Sequence, residues 1–154
     1  MEQKPTYTDD EILEKAKEIL DSRIKKHAFS ISHPDQVKDY LRVAMAEHQK
    51  NCQEVFSVIF LDSQHNIIST EDMFFGSINS CSVYPREIVK RVIALNANAV
   101  IFAHNHPSGN STPSAADKRL ADTLQKALDL ISVRVLDNFI VGDTVVAYSG
   151  SCGL

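Results

Sequence analysis

The stretch NAVIFAHNHPSGNSTPSAAD, residues 98–117, combines a short apolar run, a polar loop with two histidines, and the start of a helix. The apolar run at residues 98–104 is typical of a buried strand. The proline and glycine of HNHPSGN then turn the chain. Ser114 precedes a segment with apolar residues at helical spacing that extends to about residue 130. The stretch therefore predicts a strand, a loop and a helix in succession.

Similar signals extend in both directions and predict alternating helices and strands. The helical segments carry apolar residues three and four apart, whereas the strands are short runs rich in β-branched and aromatic residues. Thr8 and Glu11 form a capping box before the first helix, and Gly142-Asp143 is typical of a hairpin turn. The predicted helices cover residues 9–26, 35–49, 85–96 and 114–130, and the predicted strands cover residues 55–62, 67–75, 98–104, 132–141 and 144–148.

The order of these elements predicts an α/β domain in which helices flank a central mixed sheet. A length of 154 residues suits one hydrophobic core. We expect residues 33–154 to form the domain and residues 1–32 to form an N-terminal helical arm.

Composition and charge argue against several classes of protein. The sequence has no apolar run long enough to span a membrane, and its charged N-terminus lacks the apolar segment of a secretory signal. A formal net charge of −4 disfavours an extensive nucleic-acid-binding surface. The three cysteines include no C-x-x-C pair, which argues against a cysteine-built metal site and fits a reducing compartment. We therefore expect a cytoplasmic protein without a membrane partner.

Two histidines, His104 and His106, lie two residues apart where the predicted strand ends. In an extended chain such side chains point to the same side, so both imidazoles can bind one ion. Asp117, at the start of the next helix, can supply a third ligand. Two histidines, one carboxylate and a position open to water make a catalytic zinc arrangement. A structural alternative stays open, because Ser114 and Asp117 also have the spacing of a helix capping box.

Hydrolysis at such a site also needs a carboxylate or histidine that is not bound to the metal and can move protons. Glu54, just before the strand at residues 55–62, is one candidate, and Glu87, in the first turn of the helix at residues 85–96, is another. Both also fit structural roles, Glu54 as an exposed acid and Glu87 as a favourable charge at a helix N-terminus. The pattern alone leaves the choice open.

Together, these residues resemble the motif of the JAMM (MPN-plus) zinc metalloproteases. Glu54 is followed by H-x-H-P at residues 104–107, by Ser114 ten residues after the first histidine, and by Asp117 three residues later. The strings QEVFSVIFLD, INSCSVYPREIVKRVI and AHNHPSG resemble the RadC-like branch of this family. The resemblance covers about residues 35–149, which is most of the chain.

The resemblance implies a three-layer fold similar to that of cytidine deaminases. It implies one zinc ion (Zn2+) per chain, bound by His104, His106 and Asp117. It also implies that Glu54 acts as general acid and base and that Ser114 donates a hydrogen bond to the oxyanion. The chain would then be a metalloprotease or isopeptidase that cleaves an amide bond in a peptide or protein substrate.

Two other functions stay open. The alternatives are a nucleic-acid-associated accessory protein of mobile elements and a catalytically silent interaction module. A homodimer is compatible with either of them and with an enzyme.

The sequence departs from the RadC-like pattern at Asp137-Asn138, where RadC-like proteins commonly carry an Asp-His pair. Zinc binding is expected to survive it, because that histidine is not a ligand in the motif.

Overall fold

The computed structural model describes residues 6–25, 29–77 and 83–148. Its elements follow the predicted order of helices and strands, with one additional short helix. None of the helices in these ranges is long and apolar enough to cross a membrane. The elements are α1 (Asp9–Lys25), α2 (Pro34–Ala44), α3 (Ala46–Lys50), β1 (Val55–Leu61), β2 (Ile67–Phe75), α4 (Pro85–Leu95), β3 (Ala99–Asn105), α5 (Ala115–Asp129), β4 (Arg134–Val141) and β5 (Val145–Ala147).

The five strands form one mixed sheet in the order β2-β1-β3-β4-β5. β1 pairs antiparallel with β2 and with β3, and β4 pairs antiparallel with β5. β3 and β4 are parallel, so the chain has to cross from one end of the sheet to the other between them, and α5 makes this crossing. The mixed sheet confirms the predicted α/β class.

The sheet has a hydrophobic core on each face, because side chains alternate between the faces along each strand. On one face, strand residues pack against α2, Met45 and the inner side of α1. On the other, strand residues pack against α4 and α5. Helices on both sides of a sheet give the expected three layers. The first core includes Val37, Leu41, Met45, Ile59, Ile101 and Phe139, and the second includes Phe56, Val58, Phe102, Ile88, Val92, Leu124 and Leu128.

One predicted element differs from the structure, because the helix expected at residues 35–49 is two helices. α2 ends at Ala44, and Met45 leaves helical geometry with φ −102 and ψ 1 before α3 begins. The interruption is local, since Met45 N still donates to Leu41 O at 2.9 Å. Met45 is buried in the core, whereas α3 has no buried residue. The break contains no proline or glycine, which is why the apolar pattern did not reveal it.

The structure contains the predicted capping box at the start of α1. Thr8 N donates to Glu11 Oε2 at 2.8 Å, and Glu11 N donates to Thr8 Oγ1 at 3.3 Å. These two bonds satisfy backbone donors that have no partner within a helix. The helix therefore begins where the sequence places it.

Replacement of Phe139 by alanine tests the core beneath α2. Phe139 is 0% exposed, so the substitution should lower the free energy of unfolding by about 3–5 kcal/mol. The matched control is Ile93→Ala, at a side chain that is 66% exposed, where a change within about 0.5 kcal/mol is expected. Denaturant unfolding followed by circular dichroism measures both. Equal losses at the two positions would contradict this description of the core.

Candidate metal centre

The candidate site lies where β3 ends and α5 begins. His104 and Asn105 are the last residues of β3, and His106 follows them. Because β3 continues into β4 through α5, the start of α5 lies near this end of the sheet and brings Asp117 with it. β1 runs antiparallel beside β3, with Phe56 opposite His104. Its first residues, and Glu54 just before them, therefore lie next to the histidines.

Three side chains converge at this point: His104, His106 and Asp117. His104 Nε2 lies 3.0 Å from His106 Nε2 and 3.1 Å from Asp117 Oδ1. His106 Nε2 lies 3.6 Å from Asp117 Oδ2. One ligand atom from each residue falls within 4.8 Å of the others. His104 and Asp117 are almost fully buried, whereas His106 is partly exposed, so the site has a buried floor and an accessible side.

The hydrogen bonds of His106 show which of its nitrogens is free to bind a metal. Its Nδ1 lies 2.7 Å from the carbonyl oxygen of Asn110. A carbonyl only accepts hydrogen bonds, so Nδ1 carries the hydrogen and Nε2 keeps its lone pair. A histidine ligand is commonly oriented in this way by a bond from its other nitrogen. The lone pair of His106 Nε2 faces the other two side chains.

This set of donor atoms fits a metal ion. Buried lone pairs on two imidazoles and a carboxylate repel one another unless a proton or a cation lies between them. Two imidazole nitrogens and a carboxylate oxygen are preferred ligands of several divalent transition metals. The His104, His106 and Asp117 cluster can therefore bind a metal ion, and its exposed side leaves room for a further ligand.

Asp117 has a second role, because it also caps α5. Ser114 N donates to Asp117 Oδ2 at 2.6 Å, and Asp117 N donates to Ser114 Oγ at 3.1 Å. The two alternatives raised by the sequence are thus compatible in one side chain. Burial acts to raise the pKa of Asp117, but hydrogen bonds from His104 and Ser114 and the charge of His104 lower it to about 2. The carboxylate is therefore ionised at neutral pH.

The loop between His106 and α5 is fixed to the β4–β5 hairpin. His106 N donates to Val141 O at 2.8 Å, and Asp143 N donates to Gly109 O at 2.7 Å. Gly109 has φ +85, and a Cβ atom there would lie within 2.8 Å of three atoms of the Asp143 side chain. Only glycine fits this position without strain, so the close contact with the hairpin sets the path of the loop.

The structure distinguishes the two glutamates that the sequence left as candidates. Glu54 lines a cavity of about 570 Å³ together with His106, Ser114 and Asp117. Glu87 is not among the described residues that line this cavity, and its carboxylate pairs with Lys90 at 3.1 Å. Glu54 thus lies beside the cluster without belonging to it, whereas Glu87 has the structural environment expected of a helix N-terminus.

A buried amide network that the sequence did not predict connects the two neighbours of Glu54, Gln53 and Val55, to the chain that carries the histidines. Asn105 is 0% exposed, and its Oδ1 accepts a bond from Val55 N at 2.8 Å. Its Nδ2 donates to Gln53 O at 2.8 Å and to Gln49 Oε1 at 3.0 Å. Gln49 Nε2 in turn donates to His106 O at 2.8 Å. No local sequence pattern marks this network, because Gln49 and Gln53 are more than fifty residues from Asn105 in sequence.

Two further residues lie on or just after the last two strands, and one of them contacts His104. Tyr148 approaches the ring of His104 edge-on, with centroids 6.2 Å apart. Burial raises the pKa of Tyr148 well above its usual range, and the charges of Asp117 and Asp137 raise it further. Asn138, the position that departs from the RadC-like pattern, is buried, and its carbonyl accepts a bond from Tyr148 N. It is not among the described residues that line the cavity.

The chain is similar in sequence to proteins of one family. A family model described as RadC-like JAB domain matches residues 31–152. A UPF0758 protein of Vibrio cholerae is 45% identical over 143 residues, which are 93% of this chain and 88% of that protein. UPF0758 proteins of Pseudomonas fluorescens and a Polaromonas species are 53% and 46% identical over 80% and 93% of this chain. The chain spans only 54% and 62% of these two relatives.

Replacement of Asn105 by alanine tests the amide network. The substitution leaves Val55 N and the Gln53 carbonyl without their buried partner, so the free energy of unfolding should fall by about 1–3 kcal/mol. Asn98→Ala is the matched control, because Asn98 is exposed and bonds through its backbone. Thermal and denaturant unfolding measure both variants. A loss in the Asn98 variant as large as that in the Asn105 variant would show that the network has no special role.

Proposed function

Since the chain belongs to the RadC-like JAB domain family, we propose that it is a zinc-dependent hydrolase that cleaves an amide bond in a peptide or protein. One observation carries the proposal: two members of the His104, His106 and Asp117 cluster, His106 and Asp117, line one cavity with Glu54 and Ser114. The cluster supplies a place for the metal, and the other two side chains supply a proton acceptor and a hydrogen-bond donor. Each of these parts is needed for metal-assisted hydrolysis.

The donor set supports zinc as the metal, with one ion per chain. Zinc sites in hydrolases commonly have three protein ligands drawn from histidine and carboxylate side chains and keep one position open. No cysteine is among the three ligand side chains, so the site differs from closed structural zinc sites. A zinc ion in this position would polarise a carbonyl group and lower the pKa of a water molecule bound to it.

Glu54 is proposed as the residue that moves protons. Its carboxylate takes a proton from the attacking water and passes it to the leaving nitrogen, which would otherwise depart as an unstable amide anion. It is suited to this task because it lines the cavity without belonging to the ligand cluster. The amide network of Asn105 fixes the backbone of Val55, the next residue, and so holds Glu54 beside the histidines.

Ser114 is proposed as a donor to the negative charge that develops on the substrate oxygen. Its Oγ already accepts a hydrogen bond from Asp117 N, and this bond holds the hydroxyl group at the edge of the cavity. The hydroxyl hydrogen is not used by that bond and can donate to an oxyanion. Capping of α5 therefore also positions a group for catalysis.

The charge around the cavity favours a peptide over a nucleic acid. The lining includes the carboxylates of Glu54 and Asp117, and no lysine or arginine is found among the described lining residues. Binding of a phosphate backbone depends on lysine and arginine side chains, which the described part of this lining does not supply. The alternative of a nucleic-acid-associated accessory protein therefore has less support than a hydrolase acting on an amide.

Replacement of Glu54 by glutamine distinguishes an enzyme from a silent interaction module. The glutamine keeps the size of the side chain but cannot accept a proton, so kcat/KM should fall by about 100-fold or more. The measurement is hydrolysis of a library of peptides and isopeptide-linked peptides by zinc-loaded protein. Bound zinc should stay at the wild-type level, since Glu54 is not part of the cluster.

The matched control is Glu87→Gln. Glu87 pairs with Lys90 on α4 outside the described cavity lining, so this variant should hydrolyse the same substrates at nearly the wild-type rate. Hydrolysis by the Glu54 variant at the wild-type rate would contradict the proposed role of Glu54. Zinc-loaded wild-type protein that cleaves no member of the library would favour the silent module.

A further inference from the structure

Helix α1 has an inner side that faces the domain. Leu20 and Ile24 pack against the hydrophobic core beneath α2. Asp10 at the other end of the helix pairs with Lys50 at 2.7 Å. These contacts fix one side of α1, so the neighbouring face of the helix also has a defined orientation relative to the rest of the protein.

A second row of residues on α1, the outer stripe, consists of Asp9, Ile12, Ala16, Ile19 and Arg23. Their spacings of three, four, three and four residues are those of a coiled-coil seam. Ile12 is 53% exposed and Ile19 is 46% exposed. The sequence pattern predicts one amphipathic helix with Ile12 and Ile19 among its apolar residues, but neither side chain is buried in the structure. The stripe therefore has an apolar middle part whose two isoleucines are about half exposed, and a charged residue at each end.

The outer stripe continues into an apolar groove between α1 and α2. The groove has a volume of about 400 Å³, and Ala16, Ile19 and Arg23 of the stripe form part of its wall. Phe29, together with Tyr40 and Val43 of α2, lines the other side. A helix lying along the stripe would therefore meet both apolar side chains and a groove that can receive one of its own.

The charges of the outer stripe make it complementary to itself. In an antiparallel pair of α1 helices with Ala16 at the two-fold axis, Asp9 of each copy lies opposite Arg23 of the other. Neither residue has an ion pair within the described part of the chain, whereas the neighbouring Lys15 pairs with Glu18 at 2.8 Å. The small Ala16 side chain at the centre allows close approach of the helices, and antiparallel helix dipoles attract.

We propose that the outer stripe is the interface of a homodimer in which two copies of α1 pack antiparallel. Pairing about Ala16 places Ile12 of the second copy over Leu20, at the edge of the groove. A parallel arrangement in register would instead bring the two Asp9 carboxylates together. A contact of this kind is isologous, because the same surface is used by both copies. It is independent of the proposed hydrolase activity.

The size of the interface sets the affinity to expect. A helix of 17 residues is about 25 Å long, so two such helices and their grooves make a small interface. Interfaces at the lower end of the size range are typically weak. The dimer should therefore form at micromolar rather than nanomolar concentrations, and sedimentation velocity from low to several hundred micromolar protein covers this range.

Two charge reversals test the arrangement. Asp9→Arg and Arg23→Asp each place like charges at both ends of the seam, so each variant alone should dimerise about tenfold more weakly or worse. An equimolar mixture of the two variants restores both opposite-charge pairs in an antiparallel dimer. The mixture should therefore form heterodimers with an affinity near that of the wild type.

The mixture also controls for damage to the helix. Asp9→Arg removes an acid from the first turn of α1 and weakens its interaction with the dipole, but the same substitution is present in the mixture. Glu18→Arg, on the solvent side of α1, should leave dimerisation unchanged. A wild-type protein that stays monomeric, single variants that dimerise like the wild type, or a mixture that stays monomeric would each overturn the proposal.

Discussion

The candidate site depends on the position of β3 between an antiparallel and a parallel neighbour. The antiparallel pairing with β1 places the start of β1 beside the end of β3, and Glu54 comes with it. The parallel pairing with β4 requires a crossing connection, and the helix that makes this crossing brings Asp117 to the same end. The two histidines are on β3 or immediately after it. The side chains of the site therefore meet because of sheet topology, although they are spread over more than sixty residues of sequence.

Hydrogen bonds then convert this proximity into a defined geometry. The Asn105 amide joins the end of β3 to the first residues of β1, and Gln49 extends the network to the His106 carbonyl. His106 is oriented by the Asn110 carbonyl, and Asp117 by the backbone of Ser114. Groups that bind a metal or move protons are effective only when their positions are fixed before the substrate arrives. In this protein the fixing bonds come from buried amides and from a helix cap.

Much of the fold and of the site could be predicted from the sequence. The strand-loop-helix signals at residues 98–117 are strong because they combine an apolar run with proline, glycine and a capping serine. His104, His106 and Asp117 were found from the two-residue spacing and from a resemblance to a known motif. The capping and ligand interpretations of Asp117 are compatible, because Oδ2 accepts the bond from Ser114 N while Oδ1 faces His104.

The remaining features depend on contacts between distant parts of the chain. Before the structure, only the family resemblance favoured Glu54 over Glu87, because the register of β1 against β3 is contained in no local pattern. The break at Met45 occurs without a proline or glycine, so no helix-breaking residue marks it in the sequence. The exposed stripe of α1 has the same apolar periodicity as its buried side, so only the packing distinguishes them. The boundary at residue 32 between an N-terminal helical arm and the domain stays a prediction. Two of the three cysteines, Cys81 and Cys152, lie outside the described residues.

The most direct test of the central claim is the metal content of purified protein, measured by elemental analysis after incubation with zinc and removal of the excess. We predict about one zinc ion per chain in the wild type, a value implied by a single three-ligand site. His104→Ala should lose this zinc, whereas the control His65→Ala should retain it, because His65 contacts Arg134 at the other end of the sheet. A wild-type protein without zinc, or a His104 variant that binds as much zinc as the wild type, would contradict the account.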